Sequence, residues 1–333
     1  MENRNLPQII EGNIRSIALD QEMITPDYFV EHYLEFLSLY IAHGRPSKDT
    51  LRHCRSSIDQ FIEWCKKNGR HPLSINDYQM HIYLLHIHSM DYKTDTVNGK
   101  IVDIRSFFMA AHRMGLIERN PCIGMQGKSS YSVDDMVQYF SVEQITDICK
   151  TYKNEPEFIR LRNTLIVFLM GVEGLRSVEV HRSNREDIDW NVGSMYVRGK
   201  GHDRRIFPCK QTFRILDLYL QECPKKDRIN KAGGILTPLI LSDSNNNIAG
   251  RITRGGIKYV MNRTLKEAGL KMKGAACHVF RHSCGTNLYA KTKDLRLVQE
   301  TLGHRDPKTT ARYAHLQERI SRRATEEIAP DIP

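Results

Sequence analysis

Two histidines, an arginine and a tyrosine with chemically useful spacing lie near the carboxyl end of this 333-residue chain. His278 and Arg281 are three residues apart, so on a helix both side chains can face one anion. His304 follows a Leu-Gly pair, and Tyr313 lies nine residues further on. A tyrosine hydroxyl is a poor nucleophile at neutral pH, because its ordinary pKa is about 10. Cations gathered around the atom under attack make it effective, so this set predicts phosphoryl transfer through a phosphotyrosine.

The order and spacing of these residues resemble the tyrosine recombinase, or phage integrase, family. The first motif reads His-x-x-Arg-His-Ser at residues 278–283, the second reads Leu-Gly-His at 302–304, and Tyr313 follows. Each of these residues alone is more typical of packing or of a surface. The combination, in this order and at these distances, carries the resemblance.

Two further stretches resemble the same family. Gly174 and Leu175 precede Arg176, and Glu179 comes three residues later, which resembles the segment around the family's first active-site arginine. Lys200 stands in a Gly-Lys-Gly turn between two short predicted strands, Met195–Arg198 and Arg205–Phe207, which resembles the family's hairpin with its active-site lysine.

The resemblance implies a role for each residue. Tyr313 is expected to attack a DNA phosphate, displace a 5′-hydroxyl and hold the 3′ end as a phosphotyrosine. Arg176 and Arg281 are expected to neutralise the non-bridging oxygens, a bidentate task that suits arginine better than lysine. Lys200 is expected to donate a proton to the leaving oxygen, and His278 to act as a base toward the tyrosine or as a hydrogen-bond donor to the phosphate. His304 is expected to donate a hydrogen bond to the phosphate, and the carboxylate of Glu179 to orient its neighbours.

Rejoining the cut strand to a different partner gives site-specific recombination. The resemblance implies double-stranded DNA with specific sites as the partner, a Holliday-junction intermediate and a homotetramer on two sites, with a monomer or dimer off DNA. Two alternatives share the site: strand relaxation like that of a type IB topoisomerase, and a DNA-binding relative without catalysis. Transposition of a mobile genetic element, phage integration, plasmid resolution and chromosome dimer resolution all remain open as the biological role.

No cofactor is expected. One phosphoester bond is exchanged for another of similar energy, so the reaction needs no ATP. The Gly-Lys-Gly turn does not match a nucleotide-binding P-loop, because Gly193 is six residues before Gly199 and Gly201 replaces the required Ser or Thr. His278 and His282 are four apart, as two metal ligands can be, but no third ligand is evident, and we expect no metal.

The net charge of +10 favours a polyanionic partner. Residues 1–125 carry 14 basic and 15 acidic residues, whereas the rest of the chain carries 35 basic and 24 acidic residues. The excess of positive charge therefore lies in the half that holds the motifs.

The hydrophobic pattern and the resemblance together predict a multidomain α and α+β protein. The expected fold is a helical N-terminal core-binding domain followed by a mostly helical catalytic domain with a small β-sheet. The expected parts are an extension at 1–24, a core DNA-binding domain at 25–121, a linker at 122–140, a catalytic domain at 141–316, and a C-terminal helix or tail at 317–333, which docks either on its own domain or on a neighbouring subunit.

Basic residues at helical spacing are candidates for phosphate contacts. The pattern of residues 25–120 predicts four helices, which open at Thr25-Pro26, at Ser47, at Ser74 and Asp77, and near Thr94. Lys48, Arg52 and Arg55 share one face of the second of these helices, and Lys100 lies in the fourth. A predicted basic helix at 251–268 adds Arg251, Arg254 and Lys258. A solvated helix face is the alternative for each set.

The chain lacks the sequence signals of export. Its N-terminus does not have the layout of a signal peptide, and no apolar run reaches the roughly 18 residues that a membrane span requires. The eight cysteines are scattered and form no Cys-x-x-Cys pair, as expected of reduced packing residues. We expect a cytoplasmic, nucleoid-associated protein of bacterial or phage origin.

Overall fold

The structure is a computed structural model that describes residues 24–127, 138–199, 203–223, 228–229, 235–271, 276–304, 309–311 and 313–314. It divides into two compact units, Met1–Asp134 and Asp135–Pro333. The division falls within the segment 122–140. Helices dominate both units and the only sheets among the described residues are small, so the predicted fold class is confirmed. Within the described residues, no helix is both long enough and apolar enough to cross a membrane.

The N-terminal unit is built from four helices: α1 (Pro26–Tyr40), α2 (Lys48–Lys67), α3 (Asp77–Ser89) and α4 (Thr94–Arg113). Thr25 and Ser47 cap the first two helices, as the sequence predicts, by accepting hydrogen bonds from backbone N–H groups of the first turn. Apolar residues at helical spacing, among them Phe29, Phe61 and Phe107, form one buried core.

The sequence places Ser74 and Asp77 at the opening of α3, and the structure confirms Asp77 as its first residue but leaves Ser74 outside the helix. The hydroxyl of Ser74 donates to the carbonyl of His71 within a 3₁₀ turn, so it does not cap the helix. Asn76 caps it instead, through a reciprocal pair of hydrogen bonds with Gln79.

The C-terminal unit contains seven helices within the described residues: α5 (Val142–Lys150), α6 (Glu157–Gly171), α7 (Ser177–Arg182), α8 (Lys210–Glu222), α9 (Arg254–Glu267), α10 (Ala276–Thr292) and α11 (Leu295–Leu302). Ser141 and Gln144, whose Ser-x-x-Gln spacing predicts a capping box, form one at the start of α5. Helix α10 packs closely on α6, since a β-carbon on Gly171 would lie 3.3 Å from Phe280. The helix that carries the first motif thus rests on the central apolar helix.

Three short strands form an antiparallel meander: β1 (Ile188–Asp189), β2 (Ser194–Val197) and β3 (Arg204–Ile206). A second pair, β4 (Arg228–Ile229) and β5 (Ile235–Leu236), is separate. Lys200, between β2 and β3, lies outside the described residues, as do residues 1–23 of the N-terminal extension and the tail at 317–333.

Two predictions in the region 239–268 are wrong. The apolar run Leu239–Leu241 predicts a strand, but it pairs only through one isolated bridge, between Leu241 and Arg251. The basic helix begins at Arg254 rather than Arg251, since Thr253 caps it by accepting a hydrogen bond from Gly256.

Candidate active site

Arg176 owes its place to the break between α6 and α7. Helix α6 ends at Gly171, and Gly174 has a φ of +73°, a conformation that favours glycine. The N–H of Leu175 then donates to the carbonyl of Leu169 at 2.8 Å, and Arg176 becomes the N-cap of α7. Its side chain is 34% exposed, so it reaches the surface of the unit.

Glu179 lies buried at the centre of the site and holds Arg176. The backbone N–H of Arg176 donates to Oε2 of Glu179 at 2.8 Å, and Nη1 donates to Oε1 at 3.0 Å. The carboxylate has no exposed surface. A buried carboxylate needs cations and hydrogen bonds around it, which explains the glutamate at this position.

Two more guanidinium groups surround the same carboxylate. Arg204 in β3 donates to both oxygens of Glu179, at 2.9 and 3.2 Å, and Nη1 of Arg281 lies 3.9 Å from Oε2. Burial raises the pKa of Glu179, but the hydrogen bonds and charge of Arg204 and the contacts with Arg176 outweigh it, so that the pKa lies below its ordinary value. Three arginines around one carboxylate leave a surplus of positive charge, which suits a phosphate.

The sequence reasoning missed Arg204. The predicted strand began one residue later, at Arg205, and Arg205 faces outward in the structure. The available signal was the alternation of the strand, which turns Arg204 and Ile206 to the face opposite Arg205.

Arg281 is anchored by backbone carbonyls. It is 5% exposed, and its two terminal nitrogens donate to the carbonyl oxygens of Gly174 and Leu302. Burial, together with repulsion from Arg176, lowers the pKa of Arg281 to about 10. The group is therefore still charged at neutral pH. These contacts tie α10 to both the α6–α7 junction and the end of α11.

His278 stands one turn before Arg281 on α10 and has an exposed side chain. Partial desolvation and the positive charges of Arg281 and Arg176 lower the pKa of His278. A neutral imidazole is thus favoured near neutral pH, and it can act as donor or acceptor at the surface of the cation cluster.

Tyr313 is almost completely buried, at 1% exposure, in a small cluster with Cys284, Val298 and Leu302. Its hydroxyl lies 3.0 Å from Nδ1 of His282. The sequence reasoning weighed His282 only as a metal ligand and therefore missed this contact. The signal available was the position of His282 beside Arg281, four residues after His278.

His304 is positioned by the end of α11. Gly303, with a φ of +62°, terminates the helix, and Nδ1 of His304 lies 2.9 Å from the hydroxyl of Thr310. The ring is nearly parallel to that of Tyr313, with an interplanar angle of 10° and centroids 6.4 Å apart. Five of the six predicted catalytic residues thus belong to one unit around α10, and Lys200 lies outside the described residues.

The predicted DNA-contact residues fall into two groups. Lys48, Arg52 and Arg55 are exposed on α2, and Arg254 and Lys258 are exposed on α9. Lys100 and Arg251 are engaged within the protein. Lys100 is 7% exposed, with Nζ bonded to Gln60, and Arg251 donates at 2.8 Å to the carbonyls of His181 and Ser183.

The described residues hold no group of three or more His, Cys, Asp or Glu side chains arranged to bind a metal ion. His278 and His282 have ring centroids 6.5 Å apart.

The comparisons with known proteins agree with this geometry. Residues 137–319, more than half of the chain, match the phage integrase family, so the chain belongs to this family and is a tyrosine recombinase. The tyrosine recombinase XerC of Oceanobacillus iheyensis is 26% identical over 299 residues, which cover 87% of this chain and 92% of that protein.

Solved recombinase structures share the fold. The XerH site-specific recombinase bound to palindromic difH substrate, a post-cleavage complex, matches 91% of this chain and 97% of its own, with a TM-score of 0.67 and 18% identity. A lambda integrase tetramer bound to a Holliday junction matches 89% of this chain and 82% of its own, with a TM-score of 0.62 and 18% identity.

Proposed function

We propose that this protein is a site-specific DNA recombinase that cuts and rejoins double-stranded DNA through a 3′-phosphotyrosine at Tyr313. The observation that carries the proposal is the arrangement of three arginines, Arg176, Arg204 and Arg281, around one buried carboxylate in the unit that holds the tyrosine. Such a cluster stabilises the charge that develops on a phosphate under attack.

The two motif arginines have different settings and therefore different tasks. Arg176 is partly exposed and can move onto a non-bridging oxygen, whereas Arg281 is fixed by carbonyls and presents a pre-formed positive charge. Glu179 holds both, and His278 and His304 add phosphate hydrogen bonds. Lys200 protonates the leaving 5′ oxygen.

The reaction exchanges the phosphodiester for a phosphotyrosine and keeps the bond energy. The second step reverses the first, with a 5′-hydroxyl as the attacking group. No nucleotide is therefore consumed, and the arginines supply the positive charge that a metal ion supplies in other phosphoryl transfer enzymes.

We propose that DNA-site binding and catalysis are assigned to the same two regions of the chain as the sequence predicts. Residues 25–121 bind the core of the DNA site, with Lys48, Arg52 and Arg55 of α2 on phosphates, and residues 141–316 carry out catalysis, with Arg254 and Lys258 on phosphates. Four protomers act on two sites and pass through a Holliday junction. Lambda integrase, which shares the fold, has been solved as a tetramer on such a junction.

A covalent-trapping experiment tests the proposal. Duplexes that the full-length protein enriches from a random library are synthesised with a nick near the cleavage position, so that a short fragment diffuses away after cleavage. On a denaturing gel, wild type should give a protein–DNA adduct and Tyr313→Phe should give none. Adduct with Tyr313→Phe, or none with wild type on DNA that it binds, would contradict the proposal.

A two-site assay then separates recombination from relaxation. Wild type is mixed with two labelled duplexes that carry the same enriched site and different flanks. Recombination predicts products with exchanged flanks and a slowly migrating four-way junction. Plasmid relaxation without exchanged flanks would instead indicate topoisomerase-like activity.

A further inference from the structure

Within the described residues, the imidazole in hydrogen-bond contact with the Tyr313 hydroxyl is that of His282. Nδ1 of His282 and Oη of Tyr313 are 3.0 Å apart, although the residues are 31 positions apart in the chain. A phenol that attacks phosphorus must lose its proton, and a general base must lie within hydrogen-bond reach of that proton. With hydrogen on Nε2, Nδ1 of His282 is an acceptor for the Tyr313 hydroxyl.

The contact is built into the packing of α10. Gly285 lies one turn after His282, and a β-carbon on Gly285 would come within 2.6 Å of the ring of Tyr313. The absence of a side chain at this position allows the tyrosine ring to lie against the helix. Leu302 belongs to the same buried cluster as the ring, and a β-carbon on Gly285 would also lie 3.0 Å from Leu302.

The position of His282 also suits a base. It directly follows Arg281, and the charge of Tyr313 influences the pKa of Arg281, which places the hydroxyl in the field of that guanidinium. Arg281, the proposed phosphate ligand, is thus a neighbour of both the proposed base and the nucleophile.

We propose that His282 is the general base of the cleavage step, an inference that rests on the proposed function. The Oη–H bond of Tyr313 breaks and its proton moves to Nδ1 of His282. The Oη–P bond forms, the bond between phosphorus and the 5′ oxygen breaks, and Lys200 gives a proton to that oxygen. On rejoining, the 5′-hydroxyl gives its proton to Lys200 and attacks phosphorus, the Oη–P bond breaks, and His282 returns its proton to Tyr313.

The two other motif histidines are placed differently. Nδ1 of His304 faces the hydroxyl of Thr310, and the His304 ring is nearly parallel to the tyrosine ring. His278 is exposed at the start of α10, with its ring centroid 6.5 Å from that of His282. Both are suited to contact phosphate, which leaves His282 to handle the tyrosine proton.

His282→Asn tests whether His282 acts as a base or only as a hydrogen-bond partner of Tyr313. An asparagine amide occupies roughly the place of Nδ1 but does not take up a proton. The probe is the nicked duplex enriched by the full-length protein, and the readout is the single-turnover rate of adduct formation. His282→Asn should bind DNA like wild type and form adduct about 100- to 10,000-fold more slowly. A rate within about fivefold of wild type overturns the proposal. His88→Asn, at an exposed position on α3, is the matched control.

A duplex with sulfur in place of the 5′ leaving oxygen shows which proton transfer a variant has lost. Sulfur departs without a proton, so this duplex should restore cleavage by Lys200→Ala but not by His282→Asn. Rescue of His282→Asn overturns the proposal, since it places His282 at the leaving group. If His282→Asn has lost its cooperative thermal unfolding, His282→Gln is judged by the same two rates.

These outcomes are distinct from failure of the proposed function. Wild type without adduct, or Tyr313→Phe with adduct, overturns the phosphotyrosine and the base together. Normal adduct with wild type, none with Tyr313→Phe and an unimpaired His282→Asn leaves the proposed function intact and removes only the role of His282.

Discussion

Both carboxylate oxygens of Glu179 accept hydrogen bonds from Arg204, although the two residues lie 25 positions apart in the chain. The pair joins strand β3 to helix α7 and brings Arg204 to the carboxylate that also binds Arg176. The ideal β-carbon of Gly303 would lie 3.0 Å from Arg204, so the same side chain also packs against the turn before His304. One ion pair thus connects the β-hairpin with two motif segments.

The geometry of this pair predicts that Arg204→Lys impairs cleavage. Lysine keeps the charge but cannot donate two parallel hydrogen bonds to one carboxylate. We expect the rate of adduct formation to fall about tenfold or more, equivalent to about 1.4 kcal/mol. The neighbouring Arg205→Lys, on the outward face of β3, is the control and should cleave like wild type. Equal rates for the two variants would contradict a role for the Arg204 pair.

Removal of the central carboxylate should destabilise the protein. Glu179→Gln leaves Arg204 and Arg281 without their buried counter-charge, and breaking a buried ion pair commonly costs about 3–5 kcal/mol. Urea unfolding monitored by circular dichroism measures the change in free energy. Glu63→Gln, which affects only an exposed pair with Lys67, should leave the unfolding midpoint unchanged.

The same carboxylate predicts a dependence of stability on pH. The pKa of Glu179 is lower in the folded protein than its ordinary value of 4.5. Its contribution is therefore complete above pH 4.5 and is lost as the pH falls through the folded pKa. The difference in unfolding free energy between wild type and Glu179→Gln should be constant near neutral pH and shrink below pH 4.5. A constant difference down to about pH 3 would contradict this assignment.

The close packing of the Tyr313 ring against Gly285 predicts the effect of adding a methyl group at this glycine. Gly285→Ala adds a methyl group within 2.6 Å of the tyrosine ring, so the ring must shift away from His282. We expect overpacking to cost about 1–3 kcal/mol of unfolding free energy and adduct formation to slow at least tenfold. In Gly255→Ala the added atom would be 3.7 Å from its nearest neighbour, and stability should not fall.

The exposure of the basic residues predicts which ones bind phosphate. Arg55→Ala removes an exposed cation from α2 and should weaken DNA binding, with the salt slope of the binding constant reduced by about 1. Lys100→Met removes a buried ammonium that is bonded to Gln60 and lies over the ring of Tyr92, so the salt slope should not change. Fluorescence anisotropy across a salt series measures both. A reduced slope for Lys100→Met would show that this lysine reaches DNA.

The sequence by itself determined the features that depend on neighbours along the chain. The three-residue spacing of His278 and Arg281 places both on one helix, and the caps at Thr25 and Ser141 begin their helices as predicted, because both effects act within one or two turns. The motif order was likewise sufficient to indicate the family.

Only the tertiary structure decided which side chains meet across elements. Glu179 and Arg204, and His282 and Tyr313, are brought together by packing between separate helices and strands, and no local spacing encodes those distances. Burial likewise distinguishes Lys100, which is buried, from Arg55, which is exposed. Both are basic residues on amphipathic helices, and only the fold decides which helix face is covered. Periodicity gives the face of a helix, whereas contact depends on how the elements are placed against one another.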